Sequence, residues 1–295
     1  MKKTTKNKIE YFFFILFIKV FRIFPYSFSK SFIGNLFVLG GMVFKFRKKV
    51  ALNNLKMVFP EKTAKEMKII LKKMYFNMGI TVAETYFLDS SELINKVETK
   101  GWENLERAVK MGKGVILASG HIGNWELAAK YIAVNYKIAA VFKTQRNKLF
   151  DKYNNELREN CNVTLINMKK ALRPILKYLK KNYIITILTD QNAGKNGVLT
   201  DFLGQKASTF VGAAKISVKT GCPIVPAYSI RRDDGTHLYF FEEMILPDDH
   251  KNTLASIKDF TELISKSIEK YIIEYPSQWF WVHRRWRGYK KARKT

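Results

Sequence analysis

Apolar and polar residues follow three different rhythms along the chain. Residues 11–18, YFFFILFI, form a continuous apolar and aromatic run, interrupted afterwards by Lys19 and Arg22. A second apolar stretch, FIGNLFVLGGMVFKF, runs from Phe32 to Phe46, and Gly40-Gly41 weakens it as one long helix. Residues 47–58 predict a basic amphipathic helix ending in the turn Pro60-Glu61-Lys62-Thr63. The following segment repeats at helical spacing, with Ile69, Ile70, Met74, Tyr75 and Met78 on one face. Up to about residue 100 the chain reads as helical, basic and apolar.

From Glu103 onward the rhythm changes. The runs GVILAS (114–119), IAAVFK (138–143), VTLIN (163–167) and YIITILT (183–189) are short, apolar and rich in β-branched residues. Helical patterns over 124–134, 148–160 and 170–181 separate them. Strands alternating with helices of this length predict βαβ units and a parallel sheet. Further on, CPIVPAYSIRR and HLYFFEEMIL flank Asp233-Asp234-Gly235, a hairpin signal that makes the sheet mixed. A helix is predicted over 253–274, before Pro276. The fold class is therefore α/β, a mixed, mostly parallel sheet flanked by helices over 46–295. A helical, membrane-associating segment precedes it over 1–45.

Charge adds a constraint that periodicity does not. The 295 residues include 52 Lys and Arg against 25 Asp and Glu, a formal net charge of +27. Such a surface attracts polyanions: nucleic acid, an anionic membrane face, or an acidic protein or phosphorylated substrate. The apolar N-terminus selects the membrane over nucleic acid. Its first run is shorter than the roughly 20 apolar residues a spanning helix needs, which suits a helix lying in the interface with its cations snorkelling. No small-residue cleavage site follows it, so an uncleaved anchor on the cytoplasmic leaflet is expected, with Lys2, Lys3, Lys6 and Lys8 on the inside. A buried core helix is the competing reading. Cys161 and Cys222 have neither C-x-x-C spacing nor a disulfide pattern.

The candidate chemistry lies in SGHIGNWE, just past the strand 114–119. Gly120 permits a sharp turn and Asn124 is a good helix N-cap. With His121 in the turn and Glu126 in the first helical turn, the imidazole can fold back over the carboxylate at the carboxyl end of a strand, where open α/β sheets bind ligands. A histidine there can act as a general base on an alcohol, and a carboxylate can fix its tautomer. Backbone N–H groups of Gly123 and Asn124 are oxyanion-hole candidates. By itself an H-x4-E spacing equally suits a surface histidine beside a helix start. His237, His250 and His283 are too scattered for a metal site.

GHIGNWE resembles the H-x4-(D/E) motif of the lipid A biosynthesis acyltransferases, the lauroyl and myristoyl transferases, within the wider H-x4-D glycerolipid acyltransferases. Three further segments resemble that family in order: ALNNLKMVFPEKTAKE, TDQNAGKNGVLTDFLGQKASTFVGAAKIS and PSQWFWVHRRWR. The resemblance spans most of the chain. It implies an α/β acyltransferase sheet behind an N-terminal membrane helix. It also implies transfer of a fatty acyl group from acyl carrier protein to a hydroxyl of a phosphorylated lipid A precursor, without metal or redox cofactor. His121 would be the base and Glu126 its partner, with Asp190 a functional aspartate facing the same crevice or, equally, a turn cap.

One position departs from the family. Where it often has an active-site arginine after the second strand, this chain has VFKTQRN, which leaves the role to Lys143 or to Arg146. In the C-terminal block, His283, Arg284 and Arg285 are expected to hold substrate phosphate. Its tryptophans suit a membrane interface or, for Trp279 and Trp281, the core. Two rival functions stay open at this level. One is a glycerophospholipid acyltransferase using acyl coenzyme A or acyl carrier protein. The other is a non-catalytic basic protein that binds membrane or nucleic acid.

Overall fold

Seven of the strands form one sheet in the computed structural model, which describes residues 3–247 and 253–287. The His250 and C-terminal basic-tail positions fall outside those residues. The chain opens with four helices: α1 (Lys3–Phe21), α2 (Tyr26–Val38), α3 (Lys48–Val58) and α4 (Ala64–Phe87), then a short α5 (Ser90–Ile94). Next come β1 (Val97–Lys100), α6 (Trp102–Lys110), β2 (Val115–Ser119), α7 (Trp125–Ala133), β3 (Ile138–Phe142), α8 (Lys148–Glu159), β4 (Val163–Asn167), α9 (Leu172–Leu179) and β5 (Ile184–Leu188). A hairpin of β6 (Val198–Phe202) and β7 (Gln205–Thr209) precedes α10 (Gly212–Thr220), β8 (Ile224–Arg231), β9 (His237–Phe241), α11 (Leu254–Lys266) and α12 (Glu269–Glu274).

The sheet order is β1-β9-β8-β2-β5-β3-β4. Every neighbouring pair is parallel except β8 and β9, the predicted hairpin. Every residue of β2 and β8 is buried, as expected of strands covered on both faces. The four strand runs and three intervening helices read from the sequence lie within a residue or two of their observed places. The predicted helix over 253–274 is instead two helices, broken after Lys266. Ile69 is exposed, and the buried face of α4 runs through Met67, Leu71, Met74 and Tyr75.

The helical layer is joined closely to the rest. A Thr63–Glu66 capping box starts α4. Against it α2 crosses backbone to backbone: a Cβ on Gly79 would lie 2.7 Å from the Gly34 Cα. Only glycine permits that approach. At Gly40-Gly41 the helix runs on as one π-helical turn, Leu39–Val43, before the chain bends. Trp279, Trp281 and Trp286 are buried in a cluster with Leu55, Leu71 and Tyr75, so these aromatics belong to the core and not to a membrane interface. Trp279 lies in no named strand and makes one isolated bridge to Ile122.

No single helix among the described residues is long and apolar enough to cross a membrane. One bent pair, Tyr26–Val43 with Lys48–Val58 at 83°, passes by length and composition. The outer faces of α1 and α2 and the turn after them expose Phe12, Phe13, Ile23, Phe24, Phe28, Phe32, Val43, Phe44 and Phe46.

Candidate active site

Adjacent parallel strands bring the central pair together. β2 and β5 run side by side, with Ser119 opposite Leu188. Each strand ends in a loop at the same edge, one carrying His121 and the other Asp190. His121 Nδ1 lies 2.8 Å from Asp190 Oδ1, and the His121 backbone N–H donates to Asp190 Oδ2 at 2.7 Å. Trp279 Nε1–H donates to the same oxygen at 2.8 Å. Burial alone would raise the Asp190 pKa. The charge of a protonated His121 and the donors on both oxygens overcome it and hold the carboxyl at about 2. An ionised Asp190 accepts only, so the neutral ring carries its proton on Nδ1 and its lone pair on Nε2.

Glu126 is not the hydrogen-bonded partner of His121. Its two oxygens accept from Arg158 Nε at 2.8 Å and Nη2 at 2.6 Å, a bidentate fork. Glu126 faces α8, where Arg158 meets it. Burial opposes ionisation of Glu126, and Arg158 outweighs it, so the Glu126 pKa is lowered. Arg158 was missed in the sequence. It sits on an ordinary amphipathic helix with no motif around it.

Lys143 and Arg146 lie exposed in the loop after β3, without hydrogen bonds among the described residues. The guanidinium that meets Glu126 is that of Arg158. Gly123 donates its N–H to the Gln278 carbonyl at 3.2 Å and is not available to an oxyanion. The Asn124 side chain caps α7 through Leu127 N–H and donates to Glu84 at 2.7 Å. The C-terminal triplet divides. Arg284 is exposed. Arg285 is fully buried, donating to the Ser208 and Gln191 carbonyls and to Thr209 Oγ1, and over the Phe202 ring. Burial lowers its pKa to about 10, and the side chain has no exposed surface, with its Nε left without a hydrogen-bond partner. Burial also lowers the His283 pKa to about 4, so near neutral pH this ring carries no charge for a phosphate.

The loop that holds His121 is pinned from two sides. The C-terminal block pairs with it: Phe280 N–H donates to the His121 carbonyl at 3.1 Å. Beneath it, Thr81 and Ser229 donate to the carbonyls of Gly123 and Ile122. A buried ion pair anchors those supports, with Glu84 taking Arg231 Nε at 2.9 Å and Nη2 at 2.6 Å, and His237 Nε2 at 3.2 Å. Gly123 has φ +58, and a Cβ there would meet the Ser229 carbonyl at 2.1 Å. Only glycine fits between loop and β8.

Beside His121, across the Trp125 and Phe280 rings, opens a cavity of about 310 Å³. Phe37, Met78, Val82 and Leu157 give it apolar walls; Glu126, Arg158 and Asn154 are among its polar lining, with Lys130 and Gln145. Apolar walls with a few convergent polar groups suit an amphiphilic ligand.

The chain is 26% identical over 251 residues to the lipid A biosynthesis palmitoleoyltransferase of Escherichia coli (strain K12), covering 82% of this chain and 79% of that protein. It is 24% identical over 257 residues to the lipid A biosynthesis lauroyltransferase of the same strain, covering 84% and 83%. A phosphatidylinositol mannoside acyltransferase of Mycolicibacterium smegmatis is 22% identical over 205 residues, covering 68% and 65%. The family model for bacterial lipid A biosynthesis acyltransferases matches residues 2–288. This chain is an O-acyltransferase and belongs to the bacterial lipid A biosynthesis acyltransferase family.

Proposed function

We propose that the protein moves a fatty acyl chain from acyl carrier protein to a hydroxyl of a phosphorylated lipid A precursor, at the cytoplasmic face of the inner membrane. The observation that carries this reading is the His121–Asp190 pair beside the cavity. Asp190 holds the Nδ1–H tautomer and leaves the Nε2 lone pair to take the acceptor's proton. The hydroxyl oxygen then bonds to the thioester carbonyl carbon, the C–S bond breaks, and Nε2–H returns the proton to the leaving sulfur. The Arg158 fork on Glu126 places a guanidinium in the cavity wall, where charge develops on the carbonyl oxygen. Glu126 thus holds Arg158, and Asp190 takes the bracing role beside the base.

Residues 1–45 serve as the membrane-facing part and 46–295 as the acyltransferase body. The net charge of +27 suits an acidic carrier protein and a phosphorylated acceptor. The test is acyl transfer from labelled acyl carrier protein to a phosphorylated lipid A precursor. His121→Ala loses transfer with lipid binding retained; equal activity in the variant would rule out the base. A phosphatidylinositol mannoside supplied as acceptor checks the acceptor class suggested by the mycobacterial relative.

A further inference from the structure

We propose that the exposed loops after β3 and β4 form one basic docking surface for the acidic carrier protein that brings the acyl group. The inference rests on the reading of acyl carrier protein as the donor and names the face that receives it.

Topology puts this surface beside the site. β2, β5, β3 and β4 are successive parallel neighbours, so their carboxyl ends share one edge of the sheet. The first two lead into His121 and Asp190. The next two lead into the basic loops, about 5 and 10 Å farther on at one and two strand spacings. Gln145, in the loop after β3, also lines the cavity beside His121. A thioester arm from a protein seated on these loops has a short path to that cavity.

The loops have the chemistry of a partner surface. Over 143–149 and 167–173 the chain carries Lys143, Arg146, Lys148, Lys169, Lys170 and Arg173, all exposed, and no Asp or Glu. Met168 and Leu172 are 45% and 53% exposed beside the last three. Aliphatic groups next to charge of one sign fit a partner with a few apolar contacts inside an acidic rim. The fold itself gains little from these cations. Lys148 opens α8, and Lys169, Lys170 and Arg173 sit at the start of α9, where the helix dipole favours carboxylates. None of the six makes an ion pair among the described residues.

The two loops are tied together and held. Asn167 Nδ2 donates to Thr144 Oγ1 at 2.7 Å. The Gln145 N–H donates to Asp151 at 2.8 Å, and Asn147 caps α8 through the Leu149 N–H while donating to the Asn7 carbonyl at 3.0 Å. A preformed surface loses little freedom on docking. A bilayer is the other polyanion in reach, but these loops carry no aromatic ring of the kind enriched at membrane interfaces. The exposed rings Phe12 and Phe13 belong to α1.

The test measures initial rates in detergent micelles with acyl carrier protein as the varied donor. One variant combines Lys143→Glu, Arg146→Glu and Lys148→Glu; a second combines Lys169→Glu and Lys170→Glu. A control makes the first variant's charge change on exposed positions of α4, with Lys65→Glu, Lys68→Glu and Lys72→Glu. In the first variant KM for the donor rises roughly 10-fold or more at low salt with kcat nearly held, added salt narrows the gap, and the control moves KM by less than about 2-fold. The second variant shifts KM in the same direction. Thermal midpoints near the wild-type value separate docking from folding. A wild-type KM in both loop variants, or an equal rise in the control, would overturn the proposal. So would loop variants that lose only vesicle binding while KM holds, which would give the face to the bilayer. A wild type that takes acyl coenzyme A and not acyl carrier protein would sink the donor reading and the surface together. Use of the carrier protein with KM unmoved by the loop changes would sink the surface alone.

Discussion

Asp190 meets three donors: the His121 ring, the His121 backbone and Trp279. Asp190→Asn keeps the shape but cannot enforce the Nδ1–H tautomer. The expected outcome is a fall in kcat of about 10³–10⁴-fold with KM little changed, read from initial rates. Arg158→Lys keeps the charge and loses the fork on Glu126. A kcat loss of roughly 10-fold or more is expected, whereas equal losses in Lys143→Ala and Arg146→Ala would contradict the geometry. The sequence displays His121 through its glycine turn, its helix cap and its motif. Asp190 is legible only through the family resemblance and not through spacing, because it is 69 positions away and reaches His121 through the adjacency of β2 and β5. A local reading finds Glu126 at the right spacing, and no spacing rule reports that a neighbouring helix brings Arg158 to it.

The loop 120–124 owes its shape to elements far from it in sequence. Glu84 of α4 and Arg231 of β8 form an ion pair with both side chains nearly inaccessible. Breaking it leaves one buried charge without its counterion. Glu84→Gln should therefore cost about 3–5 kcal/mol in denaturation, while the double change Glu84→Met with Arg231→Met recovers most of it. The pH dependence follows with a definite sign. Burial raises the Glu84 pKa, but the Arg231 charge and the His237 and Arg231 hydrogen bonds hold it down to about 2. That contribution to stability is whole above the ordinary value near 4.5 and is lost as pH falls toward 2. Thermal midpoints should drop across that window in the wild type and stay flatter in the double variant. The buried parallel strands were legible because their runs are unbroken and apolar. β1, only four residues with alternating burial, and the β6–β7 hairpin, half of it polar, gave no comparable signal. The quoted motifs became meaningful only in three dimensions. Asn54 donates to the Trp281 and His283 carbonyls and Asn192 to that of Arg285, so three separate segments close on one another around the His121 loop.

At the scale of the whole molecule, the outward aromatic face and the cation excess lie on the same N-terminal elements. Lys19, Arg22, Lys45, Arg47 and Lys49 are exposed among the outward-facing Phe24, Phe28, Phe44 and Phe46. Exposed rings beside cations are the composition expected of a face that docks on an anionic bilayer, and vesicle binding tests that expectation. The same α2 whose outer side carries Phe28 and Phe32 gives Phe37 to the cavity wall, so one helix carries both the outward rings and part of the site's lining. Two forces then act together, and they separate in an experiment. Sedimentation with vesicles should show binding to bilayers rich in anionic lipid and weaker binding to neutral ones. Added salt should reduce the anionic preference, because each basic residue near the surface contributes roughly 1 kcal/mol that screening removes. Replacing Phe24, Phe28 and Phe44 by Ser should weaken binding to both lipid types and leave the salt dependence in place. The alternative is a purely electrostatic surface, for which the serine variant would bind anionic vesicles as tightly as the wild type. That result would dissociate the apolar face from the membrane and return it to a contact with another protein.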